Sequence, residues 1–118
     1  MLTDMLIKIM SRKIVYYSEA VRQWVDGLPV SLRAYYARII ERMLKYGPHL
    51  GMPYVRPLGK GLNEIRAIGK EGIARVFFAV KSEEIVILHG FVKKTDKTPK
   101  RELDTARRRL KEVWDENA

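Results

Sequence analysis

The sequence contains no cysteine. It can therefore hold no disulfide scaffold, no thiolate metal site and no thiol nucleophile. Only two histidines are present, His49 and His89. That is too few for a site built mainly on imidazole, so neither a metal nor another cofactor is expected. No stretch approaches the roughly 18 apolar residues that a membrane span needs. The apolar run at residues 1–10 is short, carries Asp4 and lacks a small-residue cleavage site, which argues against a secretory signal. Acidic residues are in deficit, with 14 Asp and Glu against 23 Lys and Arg, a formal net charge of +9. Hydrophobic residues make up 47% of the 118 positions, enough for one small packed core and too many for a disordered chain. What remains is a single basic cytoplasmic domain with an anionic partner such as nucleic acid or an acidic protein.

Residues 1–12 read as an extension outside the domain, Met5 and Met10 being alternative starts, and residues 13–118 as the domain itself. Ile14–Tyr17 is β-branched and aromatic and predicts a strand. Ser18 is placed to cap a helix carrying Val21, Trp24 and Val25, which Gly27 and Pro29 end. Ser31 is placed to cap a second helix. Its apolar stripe is Leu32, Tyr35, Tyr36, Ile39, Ile40, Met43 and Leu44, and Gly47-Pro48 stops it. The Gly- and Pro-rich stretch from His49 to Gly61 reads as a loop. Three strands follow, at Leu62–Ile68, Ile73–Val80 and Ile85–Val92, joined by short polar connections that predict an antiparallel meander. Thr98 as cap and Pro99 at the first helical position open a last helix. The order β-α-α-β-β-β-α predicts an α+β fold: an antiparallel sheet with helices packed on one face and the other face open.

Charge concentrates near the carboxyl end. Lys93–Lys111 holds nine basic residues against Asp96, Glu102 and Asp104. Such a cluster suits a polyanion, since Lys and Arg release counterions from phosphates; a solvated helix face or a surface for an acidic protein is the alternative. Lys97, Lys100, Arg101, Arg107 and Arg108 are the candidates there for holding an RNA backbone.

Strand parity is more specific. If Ile68 pairs with Ile73 across the Gly69–Gly72 connection, Arg66 lies directly across from Arg75. Like charges at cross-strand distance repel. An anion held between the two guanidinium groups would explain them, and neutralisation by a flanking acid such as Glu64 is the alternative. The next hairpin has two possible registers. A two-residue turn pairs Lys81 with Glu84 and puts Gly90 across from Arg75. A three-residue turn pairs Val80 with Glu84 and puts His89 there. Hydrophobic parity favours the second, which collects Arg66, Arg75, Phe77, His89 and Lys93 on one face. On an open face Phe77 can stack a base, the cations can hold phosphate and His89 can move a proton; a purely structural His89 is the competing reading.

These residues also carry a resemblance. The segments LNEIRAIGKEGIARVFF and IVILHGFVKKTDKTP, followed by an Ala- and Arg-rich helix, resemble the HigB branch of the RelE/ParE toxin superfamily, also called phage-derived toxin-like proteins. The resemblance runs from about Ile14 to Val113. It implies a RelE-like fold and the toxin of a type II toxin–antitoxin system. Such toxins are commonly metal-independent endoribonucleases that cut messenger RNA, often on the ribosome, and their partner is a helix-turn-helix antitoxin. Carried over, the family's basic strand positions fall on Arg66 and Arg75, the basic end of the last strand on Lys93 and Lys94, and an acid or base on His89. No Tyr follows Lys94, where some RelE toxins carry one. Two other functions compete: gyrase inhibition of the ParE kind, and nucleic-acid binding without chemistry.

Overall fold

In the computed structural model, residues 3, 12–93 and 97–115 are described. Strand β1 is Lys13–Tyr16, helix α1 Glu19–Asp26 and helix α2 Val30–Tyr46. Strands β2 (Val55–Gly59), β3 (Leu62–Gly69), β4 (Gly72–Lys81) and β5 (Glu84–Lys93) follow, and helix α3 is Lys100–Asp115. The five strands form one sheet in the order β1-β5-β4-β3-β2. This is an α+β fold, a mixed sheet with three helices against it, compatible with a RelE-like arrangement. Among the described residues no helix is long and apolar enough to cross a membrane.

Local signals explain most of the elements. The Ser18 hydroxyl accepts from Val21 N at 3.2 Å and caps α1 as its position predicts. Helix α2 buries Leu32, Tyr36, Ile39 and Met43, an i, i+4, i+7, i+11 stripe. Ser31 does not cap it. The helix starts behind Pro29 with no side-chain cap, and the Ser31 hydroxyl, inside the first turn, donates to Glu71 in the β3–β4 turn. The carboxylate so placed suits the positive end of the helix. At α3 the carbonyl of Pro99 accepts from Glu102 N at 3.0 Å, so Pro99 flanks the helix and does not begin it.

Four features depart from the sequence expectation. The His49–Gly61 stretch is not all loop: β2 lies within it, with Pro57 tolerated because β2 is an edge strand. The sheet is not purely antiparallel, since β1 runs parallel to β5; two helices separate β1 from the meander, so no hairpin sets its direction. The helices do not share one face. Helices α1 and α2 cover Ile65, Ala67, Val76, Phe78, Ile85 and Ile87. Helix α3 covers the other face, where Ala106 and Leu110 pack on Leu62, Phe77, Ala79, Val86 and Leu88. Strands apolar on both sides need cover on both sides. Finally, neither hairpin register is the real one. Lys81 pairs with Glu84, but a bulge then leaves Leu88 unopposed, so Phe77 faces His89 and Arg75 faces Phe91.

The bulge decides which side chains meet. Before it, Val86 and Leu88 point to the α3 face; after it, His89, Phe91 and Lys93 do. The predicted company of Arg66, Arg75, Phe77, His89 and Lys93 on one face is thus met, by a different register. On the opposite face Gly90 lies directly under Trp24 of α1. A Cβ there would sit 2.7 Å from Trp24 Cη2 and closer still to Cζ3. The glycine is needed for close approach of helix and strand. Gly90→Ala is therefore expected to lower stability by about 1–3 kcal/mol through overpacking, measured as a lower urea midpoint with an unchanged m-value.

Candidate functional site

The register arranges the α3 side of the sheet into cross-strand rows. One row runs Arg56–Glu64–Phe77–His89 over four strands. The next runs Arg66–Arg75–Phe91, and the one beyond it Ile68–Ile73–Lys93. Arg66 does lie directly across from Arg75, as the β3–β4 connection predicts.

Glu64 is the centre of this surface. Its side chain is 1% exposed, and one of its oxygens, Oε1, accepts from Arg75 Nη1 at 2.5 Å and lies 3.5 Å from Arg56 Nη2. Arg75 is 7% exposed, so a buried ion pair neutralises it. Burial pushes the Arg75 pKa below its usual value and Glu64 opposes this, while Arg66 and Arg56 lower it further. It stays charged at neutral pH, as arginines do. Arg66 is different. It is half-buried, and among the described residues no hydrogen bond or ion pair engages its side chain, whose Nε is buried without a partner. Three guanidinium groups around one carboxylate leave positive charge in excess, and Arg66 is where it is available.

Beside these arginines stands a stack of rings. Phe77 lies between His89 (centroids 6.2 Å apart, planes within 9°) and Phe91 (6.1 Å, 23°). Phe77 itself is fully buried. It cannot stack a base as the sequence reading had it, because α3 lies over it; its role is to support the His89 ring from beneath. His89 Nε2 is 3.3 Å from Glu102 Oε2 on α3, with both side chains about four-fifths buried (20% and 17% exposed). Burial lowers the His89 pKa below 6.5; Glu102 raises it in opposition, and Arg109 and Arg108 add to the lowering. At neutral pH His89 is a neutral imidazole, able to accept a proton.

The remaining predicted residues separate. Lys93 is buried one row beyond Arg75 on the same face, and Lys94 lies outside the described residues. Lys97, Lys100, Arg101 and Arg108 are exposed, with Lys100 salt-bridged to Asp104 at 3.2 Å. Arg107 is committed to structure: its guanidinium donates to Leu58 O at 3.1 Å and Gly59 O at 3.4 Å, tying α3 to β2. The sequence reading did not single out Arg56, Glu102, Arg109 or Trp24. Arg109 donates to the carbonyl of the bulged Leu88 at 2.8 Å and stacks over Tyr17 at 4.7 Å. No spacing rule links Glu102 to His89 across 13 positions of chain. Among the described residues no three His, Asp or Glu side chains gather in a way that would hold a metal ion.

A family model described as "Phage derived protein Gp49-like (DUF891)" matches residues 23–111. That span contains every row of the surface just described. No curated protein matches the sequence.

The buried pair has a measurable signature. Arg75→Ala strands the Glu64 carboxylate in the interior and is expected to cost about 3–5 kcal/mol. Replacing both partners with apolar residues (Glu64→Leu with Arg75→Met) is expected to recover most of that loss, measured by urea denaturation of the single and double variants.

Proposed function

The chain belongs to the Gp49-like family of phage-derived proteins, a toxin-like family related to the RelE/ParE toxins, and from that membership we propose that it is the toxin of a type II toxin–antitoxin pair, of the HigB kind, that cuts messenger RNA on the ribosome. Its partner on this reading is a helix-turn-helix antitoxin, and its place the cytoplasm. The observation that carries the nuclease reading is the unpaired Arg66 guanidinium one row from a neutral, carboxylate-held His89.

The reaction needs little beyond positioning and charge. The scissile phosphate rests on Arg66, whose fork matches two phosphate oxygens. With its Nε2–H directed at Glu102, His89 takes the proton from the adjacent ribose 2′-OH on its other ring nitrogen, Nδ1. The 2′-oxygen forms a bond to phosphorus, the bond to the 5′-oxygen breaks, and the products are a 2′,3′-cyclic phosphate and a 5′-hydroxyl. Glu102 orients the imidazole and stabilises the imidazolium that forms, which then returns its proton to the leaving oxygen. Arg75, paired with Glu64, holds the surface on which Arg66 stands, and Lys93 and Lys94 are the further cations that the resemblance carries over. Lys97, Lys100, Arg101 and Arg108 hold the flanking backbone.

Arg75 is a poor probe of this scheme, since its loss unfolds the surface. Arg66→Ala is the better one. It is expected to reduce cleavage by about 10²–10³-fold, the usual cost of one transition-state donor, with thermal stability near that of the wild type. Induction in growing cells with mapping of RNA 5′ ends checks it: new ends with the wild type should vanish with the variant. Growth arrest without new ends sinks the nuclease reading and favours gyrase inhibition instead. A second check uses pH. Cleavage should fall as pH drops through the lowered His89 pKa, an acid limb below 6.5. Glu102→Gln removes the influence that raises that pKa, so the limb should move to still lower pH. A limb that stays in place or moves upward rules out His89 as the base.

A further inference from the structure

The β1–β5 register ends at Tyr16↔Ile87. Past that point the outer edge of β5 has no strand neighbour among the described residues, and a small cavity opens beside it. The cavity is about 170 Å³ and is lined by Ala20, Val21, Trp24, His89, Gly90 and Arg109. We propose that this slot receives a single unstacked nucleobase of the RNA, with the Trp24 indole as its stacking wall.

The argument starts from size. Pockets for drug-sized ligands run about 300–1,000 Å³. A cavity of 170 Å³ takes one ring system and excludes a whole nucleotide, whose sugar and phosphate must stay outside. The walls suit a base. One is the indole, which approaches the strand closely because position 90 has no side chain. His89 and Arg109 line the slot from the α3 side of the β5 edge, where the Arg109 guanidinium lies over the Tyr17 ring. Aromatic and guanidinium planes are the surfaces on which proteins stack unpaired bases. The open β5 edge supplies what flat walls lack, since an unpaired strand carries backbone donors and acceptors in a row. These can meet the hydrogen-bonding edge of a heterocycle.

The position matters as much as the walls. His89 lines the slot and also lies one row from Arg66. A base held in the slot places its own ribose next to the imidazole. Base binding and proton transfer are thereby coupled through one residue, and Trp24 becomes a positioning and specificity residue, not a catalytic one. The inference rests on the ribonuclease reading above.

Trp24 and Trp114 are the two tryptophans of the chain, so Trp114→Phe leaves Trp24 as the sole indole reporter. The probe is a short RNA with 2′-O-methyl riboses, which binds but cannot be cut. Fluorescence anisotropy of a labelled oligomer reads binding, and indole emission reads the slot. Trp24 emission should be quenched with the same midpoint as the anisotropy change. A fully abasic oligomer of equal length should bind through its phosphates without quenching. Trp24→Leu should weaken binding of the base-bearing RNA about tenfold, within the range for one stacked base, and leave the salt slope unchanged. Arg66→Ala should lower that slope by about one. Trp24→Phe keeps a ring and should retain most of the affinity, which separates stacking from loss of the helix–strand contact. RNA that binds with no change in Trp24 emission, or with equal affinity to Trp24→Leu, overturns the slot and leaves the ribonuclease reading standing. RNA that does not bind at all overturns both.

Discussion

The rest of this surface depends on one buried carboxylate. Glu64 sits at 1% exposure between Arg56 and Arg75. Without it, Arg66 and Arg75 would face each other across β3 and β4 as unscreened like charges. With it, Arg75 becomes part of the interior and Arg66 alone is left to meet an anion. A single negative group thus sorts three arginines into two structural and one available. The sequence weighed two readings of the arginine pair, an anion between them or a flanking acid beside them, and the acid is there, on one of the two arginines. Arg75 takes the acid. Arg66 stays open.

The second constraint is the bulge at Leu88. It adds one residue to β5, which reverses the facing of everything after it. Ile85 and Ile87, ahead of it, face the α1–α2 core, while His89, Phe91 and Lys93, past it, join the arginines. The carbonyl of the bulged residue does not go unsatisfied, because Arg109 reaches it from α3. One irregularity therefore serves the grouping of polar side chains on one face and the docking of a helix.

How much of this was legible varies with the physics involved. Hairpin β3–β4 was legible because a short Gly-flanked connection leaves little freedom in register, and Arg66↔Arg75 followed. Hairpin β4–β5 was not, because nothing in the turn at Ser82 and Glu83 encodes a bulge five residues away. The grouping of polar residues still came out, since hydrophobic parity reports the face whatever the register. Parity reports nothing about cover, and so Phe77 read as a free aromatic when α3 lies over it. The α3 stripe of Leu103, Ala106 and Leu110 was visible as a stripe, but which side of a sheet it meets is a three-dimensional fact. Glu102 meets His89 only through that docking. Strand β2 was hidden by its own glycines and proline, which an edge position permits.

Helix α3 is joined to the sheet in an unusual proportion. It buries only Ala106 and Leu110. Leu103 and Val113 pack beside them, partly buried, and polar bonds add to these: Arg107 to the carbonyls of β2, Arg109 to Leu88 O, and Lys81 to Val113 O at 2.9 Å. An element with little apolar anchorage is the kind that opens locally while the rest of the domain stays folded. Helix α3 is thus the element expected to open first, and in hydrogen exchange its amides would lose protection before those of β3, β4 and β5. Opening it removes Glu102 from His89 and uncovers Phe77 in one event. The Glu64–Arg75 pair, on β3 and β4, would stay in place through such an opening. A partner that held α3 away from the sheet would part His89 from Glu102 without touching the arginine row of β3 and β4.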